Sequence, residues 1–247
     1  YMKIYMAPME GLTGYIYRNA FEKYFGNGKV DKYFIPFISP NQSQKFLAKE
    51  IKDVAKEHNQ GMYAVPQVMT NRPEDFIWTA KEMFHHYGYE EINLNLGCPS
   101  GTVVSKFRGS GFLAVPDQLD AFLDKVMNDP FILGSENAGK PIKVSLKTRI
   151  GKESPEEFPR LMEIYNQYPI EELIIHPRVR TDYYRNSVNL DAFAYGLEIS
   201  KNPVCYNGDI FTRQDLLGFM KRFPSVDRLM IGRALIADPG FIDVLTA

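Results

Sequence analysis

The chain is poor in cysteine. Its only two cysteines, Cys98 and Cys205, form no Cys-x-x-Cys pair. A disulfide framework is therefore not expected, which is typical of a protein of the reducing cytoplasm. The sequence also lacks the His, Cys and carboxylate spacings that are typical of metal sites, so no metal is predicted.

The chain also lacks long apolar runs and any excess of one charge. No apolar stretch approaches the length of about eighteen residues that a membrane span needs, so no membrane association is predicted. The 29 lysines and arginines nearly balance the 30 aspartates and glutamates. Whole-chain electrostatics therefore predict neither nucleic-acid nor membrane binding, and any basic surface has to be local.

What the chain does contain is a regular alternation of strand-like and helix-like segments, without a linker or strong repeat. Helix starts are indicated at Ser154, where proline and glutamate follow the serine cap, and more weakly at Thr212 and Asn71. Eight such units in 247 residues predict a single α/β domain over residues 1–247, a (β/α)8 TIM barrel. An open doubly wound sheet is the alternative, but no Gly-x-Gly-x-x-Gly follows the first strand. The predicted strands span residues 4–8, 32–38, 62–69, 91–96, 141–148, 172–176, 203–207 and 228–231.

The predicted strands end in polar residues, where a barrel carries its active site. In the fifth strand Lys143, Ser145, Lys147 and Arg149 alternate with apolar residues, so this polar face is expected to line the lumen. A polar upper layer departs from the branched apolar filling of most barrels and indicates a ligand. The polar strand ends are Gln67, Asn95 with Cys98, Lys147 with Arg149, His176, Asn207-Gly208-Asp209 and Gly232-Arg233.

Cys98 lies on the turn that ends the fourth strand, after the alternating run Asn93-Leu94-Asn95-Leu96-Gly97. A lone cysteine is more often a small buried apolar residue. The glycine, the proline and the inward asparagines around Cys98 favour a functional thiol above a planar, hydrogen-bonding ligand. Cys205 has no such surroundings and is predicted to be a core residue.

The ends of the last four strands indicate an anionic or electron-rich ligand. Lys147 shares the lumen register of its strand, so we expect a fixed cation there rather than a surface lysine. His176 alone is equally consistent with a core histidine and a ligand contact, and the arginines after it favour the contact. The glycines at 208 and 232, with Arg233, follow strands seven and eight, where barrels often bind phosphate.

These residues together resemble the tRNA-dihydrouridine synthases, FMN-dependent (β/α)8-barrel reductases, over nearly the whole chain and in order. The most specific element is Asn-Leu-Gly-Cys-Pro at 95–99, followed by Gly109-Ser110-Gly111-Phe112-Leu113. The other matching elements are Ala7-Pro8-Met9-Glu10-Gly11-Leu12-Thr13, Gln67, Lys147, His176, Asn207-Gly208-Asp209-Ile210 and Gly232-Arg233-Ala234.

The resemblance implies a mechanism and a role for each matching residue. NADPH would reduce FMN, reduced flavin N5 would deliver hydride to C6 of uracil, and Cys98 would protonate C5 as general acid. Asn95 would orient the uracil, and Lys147 would stabilise the anionic reduced ring. The implied FMN-binding residues are Pro8, Met9, Glu10, Gln67, Lys147, His176, Asn207, Gly208, Asp209, Gly232 and Arg233.

A tRNA substrate also requires phosphate contacts, and six basic residues fall on predicted loops at the same end of the barrel. We expect them to form a basic rim; the alternative is that they are ordinary solvated side chains. Four of them, Lys106, Arg149, Arg178 and Arg180, are predicted to bind substrate. The other two are Arg108 and Arg185.

The chain departs from the family pattern in two places. Many members have a lysine shortly after Cys-Pro, where this chain has Ser100-Gly101-Thr102. The family usually adds a C-terminal helical tRNA-binding domain, which we expect to be missing from this chain; a monomer is expected. The alternatives are an FMN barrel that reduces or oxidises a free pyrimidine, like dihydroorotate or dihydropyrimidine dehydrogenases, and a flavin-free barrel that binds RNA or a sugar phosphate.

Overall fold

The computed structural model describes residues 1–247 and contains a closed barrel of eight parallel strands in chain order, β1 pairing with β8. The predicted (β/α)8 barrel is confirmed. No helix combines the length and the apolar character that crossing a membrane requires. The strands are β1 (Lys3–Met6), β2 (Lys32–Ile38), β3 (Ala64–Val68), β4 (Glu91–Leu96), β5 (Lys143–Gly151), β6 (Leu173–Val179), β7 (Val204–Asn207) and β8 (Arg228–Ile231).

Two strands are longer at their C-terminal ends than the sequence predicted. β5 continues to Gly151 and β6 continues through Pro177 to Val179. Their register shifts between the pairs Arg149↔His176 and Gly151↔Val179. Proline is tolerated at such an irregularity because no ladder hydrogen bond requires its missing N–H. As a result Arg149 and Arg178 lie on strands rather than on loops.

Helices cover the outside of the barrel, and the predicted helix starts at 71–73, 154–157 and 212–215 all occur. Ser154 and Glu157 form a reciprocal cap, as do Thr212 and Asp215, while Pro73 occupies the first turn of its helix. The helices are α1 (Tyr15–Phe21), α2 (Ala48–Val54), α3 (Pro73–Tyr87), α4 (Gly101–Val104), α5 (Pro116–Met127), α6 (Pro130–Leu133), α7 (Phe158–Tyr165), α8 (Leu190–Ile199), α9 (Arg213–Arg222), α10 (Arg233–Ala237) and α11 (Phe241–Leu245).

The strands separate two apolar layers because neighbouring side chains alternate between the lumen and the helices. Val144 and Leu146 of β5 belong to the large outer core of 52 buried residues. The lumen holds a smaller apolar cluster, in which Cys205 is fully buried, so its prediction as a core residue is confirmed. This inner cluster comprises Tyr5, Ala7, Phe34, Val65, Ile174, Cys205 and Met230.

Candidate functional site

Two adjoining cavities lie at the C-terminal ends of the strands. The first, here called the thiol cavity, has a volume of about 270 Å³ and includes Gln67, Asn95 and Cys98 in its wall. The second, the glycine cavity, has a volume of about 60 Å³ and is lined by Gly208 and Gly232 among others. Six residues line both cavities and make them one cleft: Pro8, Met9, Lys147, His176, Tyr184 and Arg233.

The cleft collects nearly all of the site residues predicted from the sequence. All eleven predicted cofactor contacts line one cavity or the other, as do Asn95 and Cys98. Strand ends that are remote in sequence therefore converge on a single cleft, as the barrel geometry requires. Their roles toward a ligand remain predictions.

Cys98 is held by its backbone, while its thiol faces the cavity. Its N–H donates to Asn95 Oδ1 at 2.9 Å, and its carbonyl accepts from Ser110 N at 3.1 Å and Ser110 Oγ at 2.8 Å. Gly109 packs so closely here, at φ +55°, that a Cβ atom would lie 2.9 Å from the Cys98 carbonyl oxygen. The spacing between the cysteine and the Gly-Ser-Gly run therefore has a steric reason.

The Cys98 thiol stays protonated at neutral pH. Burial is the main cause that raises its pKa above the ordinary value, and the Glu10 carboxylate contributes to the rise. A hydrogen bond from the Ser100 backbone opposes this rise in the pKa, and Cys98 lines the thiol cavity. A protonated thiol in this position can donate a proton to a ligand in the cavity.

Lys147 is the one lysine of the cleft, and it makes no hydrogen bond or ion pair with another residue. Its register partner on β4 is Asn95. Burial, aided by the nearby Arg149 guanidinium, lowers its pKa to about 8. An anionic or electron-rich ligand would offset the free-energy cost of burying this charge, because it would give the ammonium the partner that the protein does not supply.

The glycine cavity carries more positive than negative charge. Asp209 receives Arg178 Nη2 at 2.5 Å and Arg233 Nη2 at 2.6 Å, and Lys147 lines the same cavity. Three cations thus face one carboxylate. His176 adds no charge, because burial and the surrounding cations keep its pKa well below the usual range.

His176 also has a fixed tautomer. Its Nε2 lies 2.9 Å from Arg178 Nη1, and since a guanidinium can only donate, Nε2 must be the acceptor. The proton of the neutral ring is therefore on Nδ1. The ring stacks on Tyr184 with centroids 5.8 Å apart.

The predicted rim of six exposed basic residues is wrong for two of them. Arg149 is 1% exposed and Arg178 is 2% exposed, because β5 and β6 extend past them. Arg149 donates to the carbonyls of Gly97 and Val179 at 2.9 and 3.0 Å and so fixes the turn before Cys98. It lines neither cavity.

The remaining basic residues lie outside the cleft. Arg180 is half-buried and donates to Pro99 O at 3.1 Å, whereas Lys106 and Arg185 are exposed and Arg108 is half-buried. Lys106 and Arg180 line neither cavity. A contact with the outer part of a large substrate is therefore the role that remains open to these residues.

Tyr184 is the main site residue that the sequence did not reveal. It lines both cavities, and its ring lies 5.1 Å from the guanidinium of Arg149 and 5.0 Å from that of Arg233. It lies in the connection between β6 and α8, where neither strand register nor a turn motif predicts the direction of a side chain. The only signal was its position shortly after His176 and Arg178.

Comparison with known proteins identifies one family. The model of the dihydrouridine synthase (Dus) family matches residues 5–247. The tRNA-dihydrouridine synthase B of Pasteurella multocida is 27% identical over 98% of this chain and 68% of its own length. A probable tRNA-dihydrouridine synthase of Rhizobium leguminosarum is 23% identical over 98% of this chain and 71% of its own length. The chain thus spans about two thirds of these relatives.

Solved structures show similarity of fold alone. The N-(5'-phosphoribosyl)anthranilate isomerase of Pyrococcus furiosus matches 100% of this chain and 97% of its own, with a TM-score of 0.54 and 12% identity. A truncated 3-deoxy-D-arabino-heptulosonate 7-phosphate synthase of Thermotoga maritima gives a TM-score of 0.51 at 16% identity, covering 98% of this chain and 83% of its own.

Proposed function

The chain belongs to the dihydrouridine synthase family, and from that premise we propose that it reduces uridine to dihydrouridine in tRNA, with FMN as cofactor and NADPH as reductant. One observation carries the proposal. The thiol of Cys98 shares a cavity with the amide of Asn95 and the unpartnered ammonium of Lys147. A proton donor, a hydrogen-bonding group and a cation thus face the same ligand space.

The residues of the cleft fit FMN. The three cations that line the glycine cavity favour a phosphate there, and Gly232 is tightly placed, since a Cβ atom would lie 3.3 Å from Ala7 Cβ. Lys147 reaches both cavities and suits the electron-rich ring of the flavin. Bound FMN would supply the hydride that the protein side chains cannot.

Each protein group has a defined task in this proposal. Cys98 donates the proton to C5 of uracil, because its raised pKa keeps the thiol protonated at neutral pH. Asn95 presents its amide N–H to a ring carbonyl, because its oxygen already accepts from the Gly97 and Cys98 N–H groups. Lys147 stabilises negative charge on the cofactor ring.

Binding of the tRNA rests on the basic residues that lie outside the cleft. Lys106 and Arg180 are proposed to contact phosphates, together with Arg108 and Arg185. Arg178 is instead proposed to act inside the glycine cavity, where it holds Asp209. Arg149 is proposed to shape the turn that carries Cys98 rather than to contact the substrate.

A two-part experiment tests the proposal. The purified protein should release FMN on denaturation, and its NADPH-reduced form should be reoxidised by unmodified tRNA under anaerobic conditions. Reoxidation by uracil or orotate instead of tRNA would support the free-pyrimidine alternative. A colourless protein that binds RNA without flavin would overturn the proposal in favour of a binding barrel.

A further inference from the structure

A continuous chain of hydrogen bonds runs through the barrel lumen from its N-terminal end to the Cys98 turn. Ser145 Oγ donates to Glu91 Oε2 at 3.2 Å, and Asn93 Nδ2 donates to Ser145 Oγ at 2.9 Å. Gln67 Nε2 donates to Asn93 Oδ1 at 2.9 Å, and Asn95 Nδ2 donates to Gln67 Oε1 at 3.0 Å. We call these five side chains the lumen relay.

Strand register explains why the lumen relay is continuous. Glu91, Asn93 and Asn95 alternate along β4 and therefore share its inner face. Asn93 pairs with Gln67 on β3 and with Ser145 on β5, so their side chains are direct neighbours. Four residues of a strand span about 13 Å, which is the distance the relay covers along β4.

The relay has a fixed direction because both of its ends are determined. Glu91 accepts from Lys32 Nζ at 2.8 Å and from Tyr63 Oη at 3.0 Å, and an ionised carboxylate can only accept. At the other end the Gly97 and Cys98 N–H groups can only donate, and both point at Asn95 Oδ1. Each amide between these ends has one orientation that satisfies its neighbours.

We propose that Glu91 and Ser145 are positioning residues that, from the far end of the barrel, hold the amides of Gln67 and Asn95 in the orientation that the Gly97 and Cys98 N–H groups require. The consequence is that Asn95 offers only an N–H group to a ligand, since its oxygen accepts from the Gly97 and Cys98 N–H groups. Gln67 likewise keeps one N–H outside the relay, because its Nε2 donates only to Asn93. Such a wall matches a ring that presents carbonyl oxygens and disfavours one that presents an amino group in their place. For the uridine substrate, this consequence rests on the proposed function.

Glu91→Gln tests the proposal, because a carboxamide of the same shape donates as well as accepts. The relay then loses its acceptor-only end, because the new amide can donate to Ser145 Oγ. The Ser145 hydroxyl hydrogen is then left without the acceptor that Glu91 gave it, and Ser145 holds Asn93 less firmly. Ser145→Ala removes the middle link directly. Both changes should loosen the bond between Asn95 and the Cys98 N–H.

The measurement is backbone amide hydrogen exchange at Gly97 and Cys98 in the whole ¹⁵N-labelled chain, well below the thermal midpoint. We expect exchange about tenfold faster in both variants, which corresponds to losing one typical hydrogen bond. Glu172→Gln is the matched control. Glu172 is a buried carboxylate in the same ion network, bonded to Lys32 and Arg228, but it does not contact the relay, and it should leave this exchange unchanged.

A double variant separates positioning from general loosening. If Glu91 acts through Ser145, then Glu91→Gln/Ser145→Ala should exchange no faster than Ser145→Ala alone. Additive effects, an unchanged rate in Glu91→Gln and Ser145→Ala, or an equal rise in Glu172→Gln would each overturn the proposal.

Steady-state kinetics then extend the test to function. The kcat/KM for tRNA should fall about tenfold in Glu91→Gln and Ser145→Ala, mainly through KM, and should not fall in Glu172→Gln. The hydrogen-exchange rates at Gly97 and Cys98, by contrast, can be measured whether or not the protein is active. If exchange becomes faster in a protein that does not reduce tRNA, the relay is supported and the proposed function is overturned. If exchange is unaffected in a protein that does reduce tRNA, the relay is overturned and the proposed function is supported.

Discussion

The two ends of the barrel each contain a half-buried lysine, and the surroundings shift the pKa of the two lysines in opposite directions. At the N-terminal end Lys32 lies 2.8 Å from both Glu91 and Glu172. Burial alone would lower its pKa, but these carboxylates outweigh burial and raise it. At the C-terminal end Lys147 has no carboxylate partner, and burial lowers its pKa to about 8. One end satisfies its charges within the protein, whereas the other leaves a cation for a ligand.

This difference separates stability from function within one fold. The N-terminal end also includes Arg228, which donates to Glu172 at 2.6 Å, and the Tyr5 hydroxyl, which donates to the same carboxylate. Such a network stabilises the closed barrel, while the unmatched cation at the C-terminal end costs stability. Changes at the two ends should therefore move stability and activity in different directions.

The largest expected effect on stability is at the paired end. Glu172→Leu should lower the free energy of unfolding by about 3–5 kcal/mol, because it removes the buried partner that Lys32, Arg228 and the Tyr5 hydroxyl share. Urea unfolding measures this. Glu90→Leu is the control, since the exposed Glu90–Lys140 pair should contribute at most about 1 kcal/mol. Equal losses in the two variants would remove the distinction between the ends.

The largest expected effect on activity is at the unpaired end. Cys98→Ala should retain FMN, but tRNA-dependent reoxidation of the reduced protein should slow at least about a hundredfold, the low end for losing a general acid. Rapid-mixing absorbance measures this rate. Cys205→Ala is the control, because Cys205 lies in the apolar lumen cluster and should leave the rate unchanged. An undiminished rate in Cys98→Ala would refute its role.

Lys147→Met should stabilise the cofactor-free protein at pH 7 by about 1–3 kcal/mol, because it removes a cation that burial disfavours. The folded-state pKa of about 8 lies below the ordinary value of 10.5, so between those pH values the unfolded state binds more protons and wild-type stability rises with pH. The gain from the substitution should therefore shrink from pH 8 to pH 10.5. Thermal unfolding across this range measures it.

The same variant should lower the midpoint potential of bound flavin, because the anionic reduced ring loses its nearest cation. A redox titration measures this shift. A destabilised Lys147→Met protein with an unchanged potential would show that the ammonium is satisfied within the protein, and the contrast with Lys32 would disappear.

The smallest expected effects are at the four basic residues outside the cleft. If Lys106, Arg108, Arg180 and Arg185 each neutralise one phosphate, log affinity for tRNA should fall with log salt concentration with a slope of about −3 to −4. Lys106→Glu or Arg180→Glu should reduce the slope by about one unit each. Lys140→Glu, before β5 at the opposite end of the barrel, is the control. A slope near zero would indicate a small-molecule substrate.

The sequence predicted what depends on local order along a strand. Alternation in β4 and β5 placed Asn93, Asn95, Ser145 and Lys147 toward the lumen, and barrel geometry then brought the strand ends to one cleft. Family resemblance added the cofactor residues, all of which line that cleft. These predictions succeed because the period of a strand fixes the face of each side chain.

Features that depend on contacts between distant segments were decided only by the tertiary structure. β5 and β6 pair across an irregular register and extend further than the sequence predicted. This extension buries Arg149 and Arg178, which the sequence suggested were exposed. Tyr184 reached the cleft through a connection without regular structure. The direction of the lumen relay required Glu91 to meet Ser145 and Asn95 to meet two backbone N–H groups. A residue's face follows from its own strand, but its partner, its burial and its pKa follow from what the rest of the chain brings beside it.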